Sequence, residues 1–111
     1  MSDWTSSDKV AYAADVVAEA TGVHVEAILH SKRRLGHIMA ARKMLIMACR
    51  KYYGMQYREI AEYIPFTHSV LVRHYHSGVG MVRTDSDFEA VWSQVAGYLL
   101  RNIQQRRLSD V

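Results

Sequence analysis

Residues 58–74 read REIAEYIPFTHSVLVRH, and this stretch determines how the rest of the chain is interpreted. It reads as a short amphipathic helix, a break at Pro65 and a second helix that opens on Thr67. Proline cannot extend a helix and disfavours helical backbone at the residue before it, whereas threonine is a good N-cap. The pattern therefore predicts a helix-turn-helix over about residues 56–81.

Other side chains of this stretch suit the contacts that a helix-turn-helix needs. Ala61 is small where the two helices have to approach closely, and Phe66 can fill the gap beneath the turn. Leu71, together with Val72 or Tyr75, can hold the second helix against the core. Pairs of amphipathic helices with a short turn are also frequent in all-α proteins, so the same pattern is compatible with packing alone.

The second helix of the motif carries candidate DNA-reading side chains. In a helix-turn-helix this helix lies in the major groove, and its N-terminal residues contact the edges of the bases. Small polar groups and arginine bind bases or phosphates, and an apolar side chain can contact a thymine methyl group. The base-reading candidates in this helix are His68, Ser69, Val70 and Arg73.

The remainder of the chain predicts further helices. Gly22 and Gly54 are placed to end two of them as C-terminal caps. The sequence Ser86-Asp87-Phe88-Glu89 fits a capping box at the start of the last helix. Apolar residues recur at helical spacing at about residues 8–20, 25–30, 37–53 and from 86 onward.

Length and composition predict a single all-α domain. The chain has 111 residues, half of them apolar, which is enough for one core and too few for two domains. We expect a bundle of five or six helices over residues 1–111, with a core at about 8–106 and frayed ends at 1–7 and 107–111. Cys49 is the single cysteine and lies in the most apolar helix, so we expect a buried thiol and no internal disulfide.

The sequence also predicts where the protein acts. It shows no secretory signal and no uncharged apolar run of membrane-spanning length. A cytoplasmic location, with no membrane partner, is therefore expected.

Basic charge is concentrated in the middle of the chain. The net charge is +3, but residues 32–83 hold ten basic and two acidic residues, whereas both flanking parts hold more acids than bases. Much of this charge lies in a basic loop, residues 31–36, and in an expected exposed strip of the following helix with Arg42, Lys43, Arg50 and Lys51. A segregated positive field attracts nucleic acid, although a solvated basic face is the alternative.

From about residue 16 to 81 the chain resembles the C-terminal DNA-binding domain of the bacterial replication initiator DnaA. The landmarks are Val17-Ala18-Glu19 with Gly22-Val23, Val25-Glu26 with Ile28-Leu29, Ser31-Lys32-Arg33-Arg34, Arg42 at the family's spacing, and Glu59-Ile60. The resemblance implies a Trp-repressor-like helical fold that binds double-stranded DNA as part of a nucleoid-associated protein.

The resemblance also implies roles for individual residues. Arg34 would enter the minor groove, and the recognition helix would read the major groove. The family places a phosphate contact at the end of the central helix, which corresponds to Arg50, and backbone contacts near Tyr57 and Arg58. Together with the basic charge and the N-cap, this gives the full set of phosphate-binding candidates: Lys32, Arg33, Lys43, Arg50, Tyr57, Arg58 and Thr67.

Two departures from the family change the expected function. Residues 65–70 read PFTHSV, without the family's arginine and aspartate, so the carboxylate that would select a cytosine amino group is absent and we expect a different target site. No glycine-rich phosphate loop occurs, so no ATPase activity is expected. We expect a small stand-alone regulator of transcription or replication, of the kind that bacterial or prophage genes encode.

Two alternatives compete with DNA binding by this domain. A degenerate initiator-like domain could bind a replication or transcription protein and need no DNA. The sequence is compatible with a monomer or with a homodimer formed by the apolar last helix. An enzyme would need a nucleophile, a base or a phosphate cradle, and the sequence offers none. His74 and His76 point to different sides of a helix and lack cysteine or carboxylate partners at ligand spacing, so no metal or cofactor is expected.

Overall fold

The computed structural model describes residues 4–33 and 35–109, and these residues form six helices without a strand. The predicted all-α bundle is confirmed. Arg34, the residue expected in the minor groove, lies outside the described residues. The helices are α1 (Ser6–Thr21), α2 (Val25–His30), α3 (Gly36–Tyr53), α4 (Tyr57–Ile60), α5 (His68–Thr84) and α6 (Ser86–Ser109).

Local capping signals set the start of α1 and two of the predicted helix ends. Thr5 accepts a hydrogen bond from the Asp8 N–H at 3.1 Å, and the Asp8 carboxylate accepts one from the Thr5 N–H at 3.1 Å. This capping box starts α1 at Ser6, two residues before the predicted start. Gly22 and Gly54 adopt left-handed backbone with φ of 75° and 61°, which confirms both as the caps that end α1 and α3.

Both ends of the described chain are more helical than predicted. Residues 6 and 7 belong to α1, and α6 continues through Ser109, so helix extends beyond the core that was predicted at about residues 8–106. At the N-terminal end the Trp4 ring packs edge-on against Tyr53, with ring centroids 5.4 Å apart, and the Arg106 guanidinium lies 3.4 Å from the centroid of the Trp4 ring. These contacts fasten the N-terminal segment to the C-terminal helix.

The central helix α3 contacts each of the five other helices. Its breadth of apolar sequence predicted packing on more than one side, and the structure confirms this. Burial of apolar surface on this scale is the main stabilising contribution to such a bundle. Residues of α3 that are almost fully buried are Ile38, Ala41, Met44, Leu45, Ile46, Met47, Ala48 and Cys49.

At Gly78, α5 lies close against α3. A Cβ atom built on Gly78 would lie 2.5 Å from the Met47 sulfur and 3.4 Å from the Lys43 Cβ. Real Cβ atoms essentially never come that close to a neighbour, so a larger residue at 78 would force Met47 to move. The glycine thereby allows the recognition-helix candidate to lie directly against the central helix.

The first helix of the predicted helix-turn-helix is only one turn long. The prediction extended it to Ile64, but α4 ends at Ile60. The Tyr63 N–H then donates to the Ile60 carbonyl at 3.0 Å, an i→i+3 bond that tightens the chain into a turn. The Ile64 N–H also donates to the Ile60 carbonyl, at 3.0 Å, and Pro65 then disfavours continuation of the helix beyond this turn.

The cap of α6 also differs from the prediction. The Asp85 carboxylate accepts a hydrogen bond from the Phe88 N–H at 3.1 Å, so Asp85 is the capping residue and Ser86 is the first residue of the helix. The predicted capping box of Ser86 and Glu89 is therefore wrong by one residue. The Glu89 carboxylate instead accepts a hydrogen bond from the Ser93 hydroxyl at 2.8 Å.

Among the helices of the described ranges, none combines the length and the apolar character that crossing a membrane requires.

Candidate nucleic-acid interface

The start of α5 presents the predicted base-reading residues at the surface. Thr67 is the N-cap, as predicted, and its hydroxyl accepts a hydrogen bond from the Val70 N–H at 3.4 Å. His68, Ser69 and Arg73 are exposed. Val70 is half-buried, so only part of its side chain is available to a ligand.

The opposite face of α5 holds the helix in place. Leu71 is fully buried, and Val72 and Tyr75 are half-buried, as the sequence predicted for the packed face. The first turn contains no acidic residue. The positive end of the helix dipole is therefore not neutralised by a neighbouring side chain, which favours an anionic ligand there.

Tyr57 connects the start of α5 with the end of α3 through stacked side chains. The His68 ring lies on one side of it, with ring centroids 5.2 Å apart and an interplanar angle of 34°. The guanidinium of Arg50 lies 4.4 Å from the Tyr57 ring centroid. Tyr75 meets Tyr57 edge-on at 6.3 Å. This aromatic cluster fixes where His68 lies relative to the helix axis.

Arg50, a predicted phosphate contact, is occupied by contacts within the chain. Its Nη1–H donates to the Met55 carbonyl at 3.0 Å, while its guanidinium faces Tyr57. Its Nε atom is buried without a hydrogen-bond partner among the described residues. Arg50 therefore packs on the Tyr57 ring and forms part of the aromatic cluster.

Arg42 was expected on an exposed strip of the central helix, and this was wrong. The side chain is 2% exposed. Its Nε–H donates to the Ile28 carbonyl at 2.8 Å, and its Nη2 atom donates to the carbonyls of Ala27 at 3.0 Å and Ser31 at 2.8 Å. Helices leave their last carbonyl groups without partners inside the helix, and Arg42 supplies a donor to that of Ile28 from a neighbouring helix. The Ala27 carbonyl also accepts the Ser31 N–H, at 3.1 Å. Burial lowers the pKa of its guanidinium.

Arg42 also touches the turn of the helix-turn-helix. Its guanidinium lies 4.7 Å from the centroid of the Phe66 ring. Phe66 is half-buried against the core, in agreement with the prediction that it fills the space beneath the turn. One sequence signal for this role was present, because Arg42 lies inside the most apolar segment of the chain, where an unpaired charge would be costly.

The basic loop joins α2 to α3 and exposes two of its basic residues. Lys32 and Arg33 are exposed, and the Arg33 N–H donates to the Ser31 hydroxyl at 3.1 Å. The Ser31 carbonyl is the one that Arg42 binds. The start of the loop is therefore anchored to the core, while Lys32 and Arg33 extend into solvent.

A groove of about 450 Å³ lies between the basic loop, the first half of α3 and α5. It brings together four of the predicted DNA-contacting residues, namely Lys32, Lys43, Val70 and Arg73. Its lining contains no carboxylate. The lining residues are Ser31, Lys32, Met39, Arg42, Lys43, Phe66, Val70, Arg73, His74 and Ser77.

The pKa of His74 reflects the positive charge around this groove. Its ring is half-buried and meets the Phe66 ring edge-on, with centroids 5.8 Å apart. Burial lowers the pKa of His74 below its usual 6.5, and the nearby charges of Lys43, Arg42 and Arg73 lower it further. Cations on two helices therefore converge on one imidazole. From the sequence, His74 was considered only as a metal ligand, and its position in this groove was not predicted.

Arg58 lies on α4, apart from the groove. It is exposed, and its Nη2 atom is 3.4 Å from the Gln56 side-chain oxygen. The adjacent Glu59 accepts the Gln56 N–H at 3.1 Å and the Ser6 hydroxyl at 3.2 Å. The Gln56 hydrogen bond, followed by that of Ser6, lowers the pKa of Glu59. Glu59 thereby ties α4 to α1.

Among the described residues, the cysteine and the acidic side chains do not line this groove. Cys49 is fully buried, as predicted, and burial raises the pKa of its thiol to about 12. Within residues 4–33 and 35–109, no three His, Cys, Asp or Glu side chains come together in a way that could hold a metal ion.

Comparison of the chain with protein-family models, with curated proteins and with solved structures returned no match.

Proposed function

We propose that this chain binds double-stranded DNA in a sequence-specific manner, as a small cytoplasmic, nucleoid-associated regulator of transcription or replication. The start of α5 would enter the major groove, where His68, Ser69 and Arg73 contact base edges and Val70 contacts a thymine methyl group. Lys32, Arg33, Lys43, Arg58, Thr67 and the Tyr57 hydroxyl would bind phosphates. The resemblance to the DnaA domain adds Arg34 in the minor groove.

The observation that carries this proposal is the cationic groove beside the exposed start of α5. Lys32, Lys43 and Arg73 line it from three different elements. None of them forms an ion pair within the described parts of the chain, where the ion pair found is His30 with Glu26. Cations that are gathered and left without protein counter-charges suit a polyanion.

We propose that two of the arginines in the basic segment do not contact DNA. Arg50 is turned inward against Tyr57, so we propose that it acts by supporting Tyr57 and His68 rather than by binding phosphate. Arg42 is buried and holds the loop. The proposed interface therefore rests on side chains that lie at the surface.

The test is fluorescence-anisotropy binding to a random-sequence duplex over a salt series, with Arg73→Ala beside Arg101→Ala. Both variants remove one exposed arginine, but Arg101 lies on α6, stacked over Tyr98 and away from the groove. Binding to random sequence is mostly to phosphates, so Arg73→Ala should lower the salt slope by about 1 if it contacts a phosphate. If it contacts a base, it should cost about 1–3 kcal/mol on a duplex selected for tight binding. Arg101→Ala should leave both unchanged.

Two further results complete the test. Arg34→Ala examines the minor-groove expectation directly and should also weaken binding. A folded protein that fails to bind any duplex at low salt would refute the DNA proposal, leaving the protein-interaction module as the alternative.

A further inference from the structure

We propose that the groove between the basic loop, α3 and α5 binds a single phosphate group, and that His74 takes up a proton when the phosphate binds. This inference rests on the proposed function, because the phosphate would be part of the DNA backbone. It goes beyond that function by assigning one site and making binding dependent on pH.

The position of His74 suits a group that responds to an anion. It lies on α5 one residue after Arg73, and it lines the groove together with Lys32, Lys43 and Ser77. Phe66 covers one edge of its ring, and behind Phe66 lies the buried guanidinium of Arg42. Every charged group in the lining is cationic, so an anion in the groove would face His74 with no carboxylate competing for the proton.

The donors of the groove are available to an incoming oxygen. Among the described residues, the hydrogen-bond partner of Lys43 Nζ is the Met81 sulfur at 3.6 Å, and a thioether is a weak acceptor. Lys32 and Arg73 are exposed. Arg42, by contrast, is 2% exposed, has given its Nε and Nη2 hydrogens to backbone carbonyls and has Nη1 beside the Met39 sulfur, so it acts on the groove mainly through its charge. Lys32, Lys43, Arg73 and Ser77 would provide the contacts.

Binding of an anion in the groove would change which protonation state of His74 is favoured. Without an anion, partial burial and the charges of Lys43, Arg42 and Arg73 lower its pKa. A phosphate places negative charge among the same cations, offsets their repulsion and favours the imidazolium form. By linkage, affinity then rises as pH falls toward the pKa of free His74, by at most about tenfold per pH unit for one proton.

The first experiment follows the imidazole signals of the labelled protein by NMR while pH is varied. His74 is identified by the signal that His74→Gln removes, and exposed His76, which does not line the groove, is the internal control. Titrations are made with no anion, with pyrophosphate and with a random-sequence duplex. The His74 midpoint should rise with either phosphate source, while the His76 midpoint moves less.

The second experiment measures duplex affinity between pH 5.5 and 7.5. Affinity of the unmodified protein should increase as pH falls, His76→Gln should behave alike, and His74→Gln should show a weaker increase while still binding at pH 7.5. Lys43→Gln gives an independent check without the histidine change. It should raise the His74 midpoint in the free protein, because one repelling charge is gone, and weaken the response to pyrophosphate.

The outcomes separate the two proposals. Duplex binding at pH 7.5 with an unmoved His74 midpoint would overturn the phosphate site and leave DNA binding intact. A His74 shift with pyrophosphate but no duplex binding would keep the site, as one for a free phosphate compound, and overturn DNA binding. No shift with either phosphate source would overturn the site.

Discussion

The guanidinium of Arg42 stacks on the ring of Phe66 at 4.7 Å and at the same time holds the carbonyls of Ala27, Ile28 and Ser31. One buried side chain therefore joins the end of α2, the start of the basic loop and the turn of the helix-turn-helix. The basic loop and the helix-turn-helix, which are both proposed to contact DNA, are therefore held by the same side chain.

Arg42→Met should destabilise the fold by about 2–4 kcal/mol, because a buried acceptor that loses its donor costs roughly 1–3 kcal/mol. The carbonyls of Ile28 and Ser31 lose the donor that the structure shows for them, whereas the Ala27 carbonyl keeps the Ser31 N–H. Methionine keeps much of the volume, so the loss reflects hydrogen bonds rather than a cavity. Arg42→Lys should recover only part of the stability, since an ammonium group cannot reproduce the planar set of donors. Urea unfolding measures both, and a loss below about 1 kcal/mol for Arg42→Met would contradict this role.

Gly78→Ala and Gly80→Ala should have opposite effects on stability. Replacing glycine by alanine in a helix interior gains about 1 kcal/mol from backbone propensity alone. At Gly80 the new methyl group meets nothing within 4 Å, so that gain should appear in full. At Gly78 it meets the sulfur of fully buried Met47, and overpacking of this kind costs about 1–3 kcal/mol.

Thermal and urea unfolding of the two glycine variants give the comparison directly. Equal stabilisation of both would mean that Met47 moves aside without cost. In that case the close approach of α5 to α3 would not depend on the glycine.

Asp85→Ala and Ser86→Ala test which residue caps α6. Asp85 accepts the Phe88 N–H, so its replacement should cost about 1 kcal/mol, a typical value for the loss of an N-cap. Ser86 is the first helical residue, is exposed and should tolerate alanine with a change within about 0.5 kcal/mol. If urea unfolding shows a larger loss of stability for Ser86→Ala than for Asp85→Ala, Ser86 is the N-cap, as predicted from the sequence.

His74→Gln should make the free protein less sensitive to mild acid. The folded state holds the pKa of His74 below 6.5, so the unfolded chain binds the proton more readily. His74 therefore lowers the free energy of unfolding as pH falls from about 6.5. This decrease levels off once pH is below the pKa of His74 in the folded state. His76→Gln is the matched control, and identical pH dependence of urea midpoints for both variants and the unmodified protein would exclude this effect.

Sequence alone could predict the features that depend on neighbouring residues. Thr67 as an N-cap and Gly22 and Gly54 as C-terminal caps require only a local backbone shape, and all three are confirmed. The all-α class and the broad burial of α3 followed from helical periodicity in the same way. Interactions between residues that are close in sequence were sufficient to predict each of these features.

The features that were missed depend on contacts between distant segments. Arg42 is buried because α2 ends beside it, and a helical pattern read along α3 carries no information about that end. The contacts of Arg50 with the Tyr57 ring and the Met55 carbonyl likewise join α3 to the segment that follows it. His74 gains its role only when the basic loop, α3 and α5 enclose one groove. These positions needed three-dimensional packing to be recognised.

If the chain binds DNA as proposed, the close packing of α5 on α3 at Gly78 affects which duplex sequences it binds. The basic loop is anchored to α3 by Arg42, and α5 is anchored to α3 by its contact with Met47, so the separation between the loop and α5 is set by one rigid helix. A duplex bound by both has to present its backbone at that separation. Groove width varies with base sequence, so base steps that no side chain touches would influence affinity through the shape of the duplex.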